Sequence, residues 1–203
     1  MTSADLAARQ AEIVGKPQRI ESIAREEFEE AALAHIRAIH AALGIETGAD
    51  VPDYFGLIVK HPGVFRCQLD IGTMFFSEGR LPKRERELAV LRVGWLCRAP
   101  YEWGEHDDIG KRYGLTDAEV ERVTIGSTAP EWDAHDRAIL AGVEEMLADK
   151  MISDATWALL AESWDEAQLI EFPTLVGQYV ATAIQQNSLR VRLAPDNPGL
   201  GYR

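Results

Sequence analysis

Helical punctuation constrains this chain more than any other feature. Pro62, Pro82 and Pro100 each head a run whose apolar residues recur at three- and four-residue intervals. Proline suits the first turn of a helix, where its missing N–H would have had no partner. Gly44, Gly79 and Gly114 close such runs, as glycine does where a helix ends in a left-handed residue. The spacing predicts helices over 21–43, 62–78, 82–98 and from Pro100 to Gly114, then over about 131–149, 153–163 and 165–190. Thr116 with Glu119 has the form of a capping box, and Ser153 that of an N-cap. Pro173 falls inside the last helix, where a proline predicts a kink. No run alternates β-branched with polar residues as a half-buried strand would. With short links between its helices, the chain reads as an all-α bundle of antiparallel neighbours. Residues 1–20 read as an N-terminal arm with a short helix, 21–193 as a single helical domain and 194–203 as a C-terminal tail.

Charge and composition remove several function classes. The formal net charge is −12. Nucleic-acid affinity comes mainly from Lys and Arg meeting phosphates, so a nucleic-acid partner is not expected, nor is an anionic membrane surface. No apolar run approaches the roughly 20 residues that cross a bilayer. The first residues lack the basic start and apolar block of a signal peptide. Cys67 and Cys97 are far apart and form neither a disulfide framework nor a metal-binding pattern. These features predict a cytoplasmic protein without a metal site.

The chemistry-bearing stretch is Tyr-Glu-Trp-Gly-Glu-His, residues 101–106. At about 100° per residue, Glu102, His106, Ile109 and Tyr113 share one stripe, and its apolar members turn it inward. Glu102 and His106 are four residues apart and can touch. An inward carboxylate–imidazole pair is a usual acid–base device, because burial perturbs both groups. On the preceding helix Lys83, Glu87, Leu91, Gly94 and Arg98 form a second stripe. Gly94 would admit a neighbouring helix, which turns Glu87 toward the helix that bears His106. Glu-x-x-x-His is also common on solvated helix faces, and Glu105, Asp107 and Asp108 read as solvated charge. Trp95 and Trp103 suit core packing as well as a ligand wall, and Tyr101 suits either a pocket edge or a helix start. His35, His40, His61 and His135 show no ligand-like clustering.

The segment RERELAVLRV (84–93), followed by YEW at 101–103, His106 and GLT at 114–116 with Glu119, resembles the carboxymuconolactone decarboxylase family, which includes AhpD-like alkylhydroperoxidases. The resemblance runs through most of residues 55–190 and implies an AhpD-like helical bundle that forms a homo-oligomer, a trimer or a multiple of one. The peroxidase branch carries Glu, a Cys-x-x-Cys pair and then His. Aligned on His106, its glutamate falls on Glu87 and its cysteines on Ala99 and Glu102. The chain therefore resembles the decarboxylase-like branch that lacks the redox pair. That implies a cofactor-independent lyase acting on a small-molecule substrate, a lactone or an aromatic-derived carboxylic acid. His106, Glu102 and Glu87 are its candidate catalytic residues, and Arg86 and Arg98 its candidate carboxylate anchors. Tyr101, Trp103 and Gln178 are candidate pocket residues; many similar sequences have His where Gln178 stands. Lactone isomerisation, retro-aldol cleavage and a non-catalytic binding or scaffold role are the alternatives on the same fold.

Overall fold

A computed structural model of the chain describes residues 3–45 and 51–201. Among these residues there are helices and no strands. Ten are α-helices: α1 Ser3–Ile13, α2 Glu30–Leu43, α3 Asp53–Ile58, α4 Pro62–Ser77, α5 Lys83–Leu96, α6 Pro100–Arg112, α7 Asp117–Ile125, α8 Ala134–Asp149, α9 Asp154–Ala161 and α10 Glu166–Leu189. None is long and apolar enough to cross a membrane.

The signals that predicted these helices act as expected at several ends. Thr116 Oγ1 accepts from the Glu119 amide while the Glu119 carboxylate accepts from the Thr116 amide, so the capping box closes in both directions. Ser153 caps α9 through the Thr156 amide. Gly44 ends α2 at φ 70°. α10 continues through Pro173 without a break in its assignment.

The largest departure is at the start of α2, which begins at Glu30 rather than near residue 21. The Ile23 amide donates to the Gly56 carbonyl at 3.1 Å. A Cβ on Gly56 would lie only 2.8 Å from the Ile23 carbonyl oxygen. This contact with α3 keeps the chain around Ile23 out of the helix. Only a single 3₁₀ turn, Arg25–Glu27, intervenes. α3 itself lies in a stretch where the sequence shows only its bounding prolines.

α5 is the centre of the bundle. Leu88, Ala89, Leu91 and Val93 are all fully buried, and the helix packs against α6, α7, α8 and α10. A second apolar cluster joins Ile36 and Ile39 of α2, Tyr54 and Leu57 of α3, Phe65 and Leu69 of α4, and Tyr101 of α6. The ends of the chain meet on the bundle. Leu6 of α1 belongs to the main core, and Leu200 is buried within it. Asn197 pins the last segment to α6: its amide nitrogen donates to the Tyr101 carbonyl at 3.1 Å and to Glu105 Oε1 at 2.8 Å. Gly104 makes this possible, because a Cβ there would fall 1.7 Å from Asn197 Oδ1.

Candidate active site

The site begins with how closely α5 and α6 approach. A Cβ on Gly94 would already stand 3.5 Å from the Trp103 amide nitrogen and 3.6 Å from its Cα. A methyl group there would just reach van der Waals contact with α6, which measures how close the two helices lie. At this spacing the two polar stripes meet, and His106 Nδ1 lies 2.7 Å from Glu87 Oε2. Glu87 is completely buried, and the His106 side chain is 10% exposed. The second Glu87 oxygen accepts from Arg86 Nε at 2.9 Å. Arg86 in turn donates to the Phe75 carbonyl at 3.0 Å and lies 4.1 Å over the Phe76 ring.

This chain of contacts fixes the imidazole. A hydrogen on Nδ1 donated to Glu87 leaves Nε2 with a lone pair, the form a general base requires. Tyr179 of α10 meets the His106 ring edge to face, with centroids 4.9 Å apart and planes at 87°. The ring is therefore held on two sides, by hydrogen bonding and by packing.

Glu102 is one turn away and behaves differently. Its side chain is 1% exposed, and neither carboxyl oxygen has a hydrogen-bond partner. The expected Glu102–His106 contact does not form, and Glu87 takes that place. Glu102 leans toward α5, with its Cγ 3.8 Å from where a Gly94 Cβ would be. Burial alone pushes its carboxyl well above the usual carboxylate range. A carboxyl without donors in an apolar setting holds its proton more tightly than one in water, because the anion would lose its hydration uncompensated. The imidazole and this carboxyl thus occupy one face of one helix.

Both groups line a cavity of about 990 Å³ at the seam between the two apolar clusters. Ile39, Leu69, Phe75 and Phe76 provide apolar wall, and Tyr54, Tyr101 and Tyr179 add aromatic wall with polar tips. Burial pushes all three phenols up, so they remain protonated. The Tyr54 hydroxyl donates to Gln185 Oε1 at 2.6 Å. Gln178 also lines the cavity and donates to Gln68 Oε1 at 2.5 Å. The volume lies at the upper end for small-molecule sites.

Several sequence expectations need correction. Trp103 is fully buried against Trp95, with centroids 5.0 Å apart, and does not line the cavity. It belongs to the core because its face of α6 is the one α5 covers. Arg98 lies beyond α5, which ends at Leu96, in a left-handed turn at φ 48°. It is exposed and away from the cavity wall, so it anchors nothing there. Arg86 is buried but serves Glu87 rather than lining the cavity. Asp107 is 4% exposed instead of solvated, and it pairs with Lys111 at 3.1 Å.

Tyr179, Tyr54 and Gln68 were missed because they reach the site from other elements. Tyr179 did leave a signal: it is the polar-tipped member of the buried α10 stripe Phe172, Leu175, Val176, Tyr179 and Ala183. The cysteines stand apart from the base. Cys67 is exposed on α4, and burial pushes the Cys97 thiol up to about 11. Among the described residues no three His, Cys, Asp or Glu side chains converge as metal ligands.

Comparison with known proteins agrees with this architecture. The model of the Carboxymuconolactone decarboxylase family matches residues 63–145, the segment that carries Glu87, Glu102 and His106. No curated protein matches the chain. Among solved structures, the alkylhydroperoxidase AhpD core of a peroxidase-related protein from Ralstonia eutropha JMP134 superposes with a TM-score of 0.74 at 17% identity, covering 89% of this chain and 95% of that one. The apo debrominase Bmp8 also gives 0.74, at 12% identity with 89% and 95% covered. A cysteine variant of that debrominase in complex with 2,3,4-tribromopyrrole gives 0.73 at 13% identity, with 89% and 94% covered. The fold is AhpD-like.

Proposed function

We propose, for a chain whose residues 63–145 match the carboxymuconolactone decarboxylase family, a cofactor-independent acid–base enzyme. Its substrate is a lactone or an aromatic-derived carboxylic acid, and its reaction, decarboxylase-like cleavage of a carbon–carbon bond or isomerisation of the lactone ring, runs through an enolate. The observation that carries this reading is the division of labour on α6. His106 is held by Glu87 with Nε2 left for a substrate, while Glu102 faces the same cavity as a neutral acid.

In the lyase reaction the bond to the departing CO2 breaks, and its electron pair passes into the conjugated lactone carbonyl. The resulting enolate takes a proton at carbon from the Glu102 carboxyl, and solvent returns the proton to Glu102. Protonated phenols on the wall, Tyr101 and Tyr179 among them, are donors suited to a developing enolate oxygen. A second reading is supported by the base. His106 Nε2 removes a proton beside the lactone carbonyl, and the proton returns at another carbon of the enolate, which isomerises the ring. Both reactions pass through an enolate, and neither needs a redox partner.

The test is a screen of lactones and aromatic-derived acids, read by CO2 release and product mass, with wild type beside Glu102→Gln, which removes the acid of the lyase step, and His106→Ala, which removes the base of the isomerisation. Loss of a positioned acid or base costs about 10²–10⁴-fold, and the helical circular dichroism spectrum should be unchanged. Full activity in both variants would remove the centre of this reading, and no turnover of any substrate in the screen would leave a binding or scaffold role.

A further inference from the structure

The charges on the cavity wall bear on which of these substrates enters. Six carboxyl groups line it: Asp53, Glu102, Glu105, Asp107, Asp108 and Asp196. The Lys and Arg side chains on the described wall are Lys111, Arg112 and Arg192, and each is already engaged. Lys111 lies 3.1 Å from Asp107 and 2.8 Å from Asp117. Arg112 Nε is 3.3 Å from Asp108, and Arg192 Nε is 2.9 Å from Asp53. His40 also lines the cavity, but burial, with Arg25 acting in the same direction, pushes its imidazole down and keeps it neutral.

Arg86 is the nearest buried cation to the catalytic pair, and it is screened from the cavity. Its Nε pairs with Glu87 at 2.9 Å and its Nη1 donates to the Phe75 carbonyl; Nη2 is buried without a hydrogen-bond partner, but Arg86 does not line the cavity, and the ring of the wall residue Phe76 has its centroid 4.1 Å from the guanidinium. Residues 46–50, Glu-Thr-Gly-Ala-Asp, add no basic residue to the sequence beside the cavity-lining Ile45 and Val51. A carboxylate entering this cavity would shed water and meet carboxyl groups, with every wall cation already neutralised by a partner. Burying a charge without a counter-charge is strongly unfavourable. An uncharged ring loses nothing comparable. It finds apolar wall for its carbons and phenol, amide and carboxyl hydrogens for its carbonyl.

We infer that the substrate enters uncharged, as a neutral lactone and not as a carboxylated one. The inference rests on the acid–base reading of the same cavity. It favours ring isomerisation, or another carbon–carbon cleavage of a neutral lactone, over loss of CO2.

Two probes of one ring skeleton test it: a five-membered unsaturated lactone and the same lactone bearing a ring carboxylate. Binding to the full chain is measured by calorimetry at pH 7. Proton–deuterium exchange beside the lactone carbonyl is followed separately by NMR. The neutral lactone should bind, and the carboxylated one should bind about 100-fold more weakly or worse. Gln68→Arg, which sets an unpaired cation on the wall, should narrow that gap by strengthening only the carboxylated probe. Equal or tighter binding of the carboxylated lactone to wild type would overturn the inference, and so would failure of the neutral lactone to bind. Binding of the neutral lactone with no deuterium exchange would leave the inference standing and defeat the acid–base reading instead.

Discussion

Replacing Glu102 by glutamine should make the protein more stable, and increasingly so as the pH rises. The carboxyl is 1% exposed, has no hydrogen-bond partner, and is held by burial well above its ordinary range. In the unfolded chain a glutamate ionises near pH 4.3. Below that pH both states hold the proton, and this group's contribution does not vary. Above it the unfolded state releases the proton while the folded state keeps it. Wild-type stability then falls by about 1.4 kcal/mol per pH unit until the folded-state value is reached. Glutamine does not titrate, so Glu102→Gln escapes this slope. From pH 5.5 to 7.5 the gap between variant and wild type should widen by roughly 3 kcal/mol, provided the folded-state value lies above that window. In a chain of this size each kcal/mol moves the midpoint about 2–4 °C. The gap in Tm should thus grow by about 3–6 °C per pH unit. Glu105 and Asp107, also raised by burial, tilt both proteins alike and cancel in the difference. The assay is thermal or urea unfolding of the two proteins from pH 4 to 8. Parallel curves across that range would show that Glu102 ionises in the folded protein, and the neutral-acid argument would fail. Activity should move in the opposite direction, with the stabilised variant impaired, a familiar exchange at catalytic sites.

Replacing Cys67 and Cys97 together by serine should leave lactone turnover within a few-fold of wild type, and wild type should not consume an alkyl hydroperoxide; a dead cysteine variant or hydroperoxide loss would restore thiol chemistry. Turnover should survive dialysis against EDTA, and its loss with rescue by one particular metal would refute the cofactor-free mechanism. Self-association is expected through exposed apolar side chains such as Ile170 and Ile184 on α10, which are 69% and 60% exposed. Sedimentation at micromolar concentration should give a mass above the 22.6 kDa of one chain, and a monomer would refute it.

The sequence exposed those parts of the site that depend on local spacing. The stripe of Glu87, Leu91 and Gly94 and the stripe of Glu102, His106 and Ile109 are single-helix periodicities. Gly94 indicated that the two helices could touch. Which carboxylate reaches the imidazole was not legible, because Glu102 and Glu87 both satisfy spacing and only side-chain direction separates them. Arg98 failed as an anchor for a similar reason. Periodicity carried the helix two residues too far, past a left-handed turn that only the backbone reveals. Tyr54, Tyr179 and Gln68 join the site from α3, α10 and α4, and contacts of such long sequence separation leave no period to read. The start of α2 was lost to tertiary structure, since the pairing of Ile23 with Gly56 overrides a helical pattern.

The close contact at Gly94 also bears on how such a protein can change. It locks α5 to α6, so the Glu87–His106 pair keeps its geometry whatever stands one turn before the histidine. Position 102 is then a socket in a fixed frame. Aligned on His106, the second redox cysteine of the peroxidase branch falls on this position; here a carboxyl stands there. On the proposed function, Ala99 and Glu102 in place of the two redox cysteines turn a thiol chemistry into a proton-transfer one on the same pair of helices.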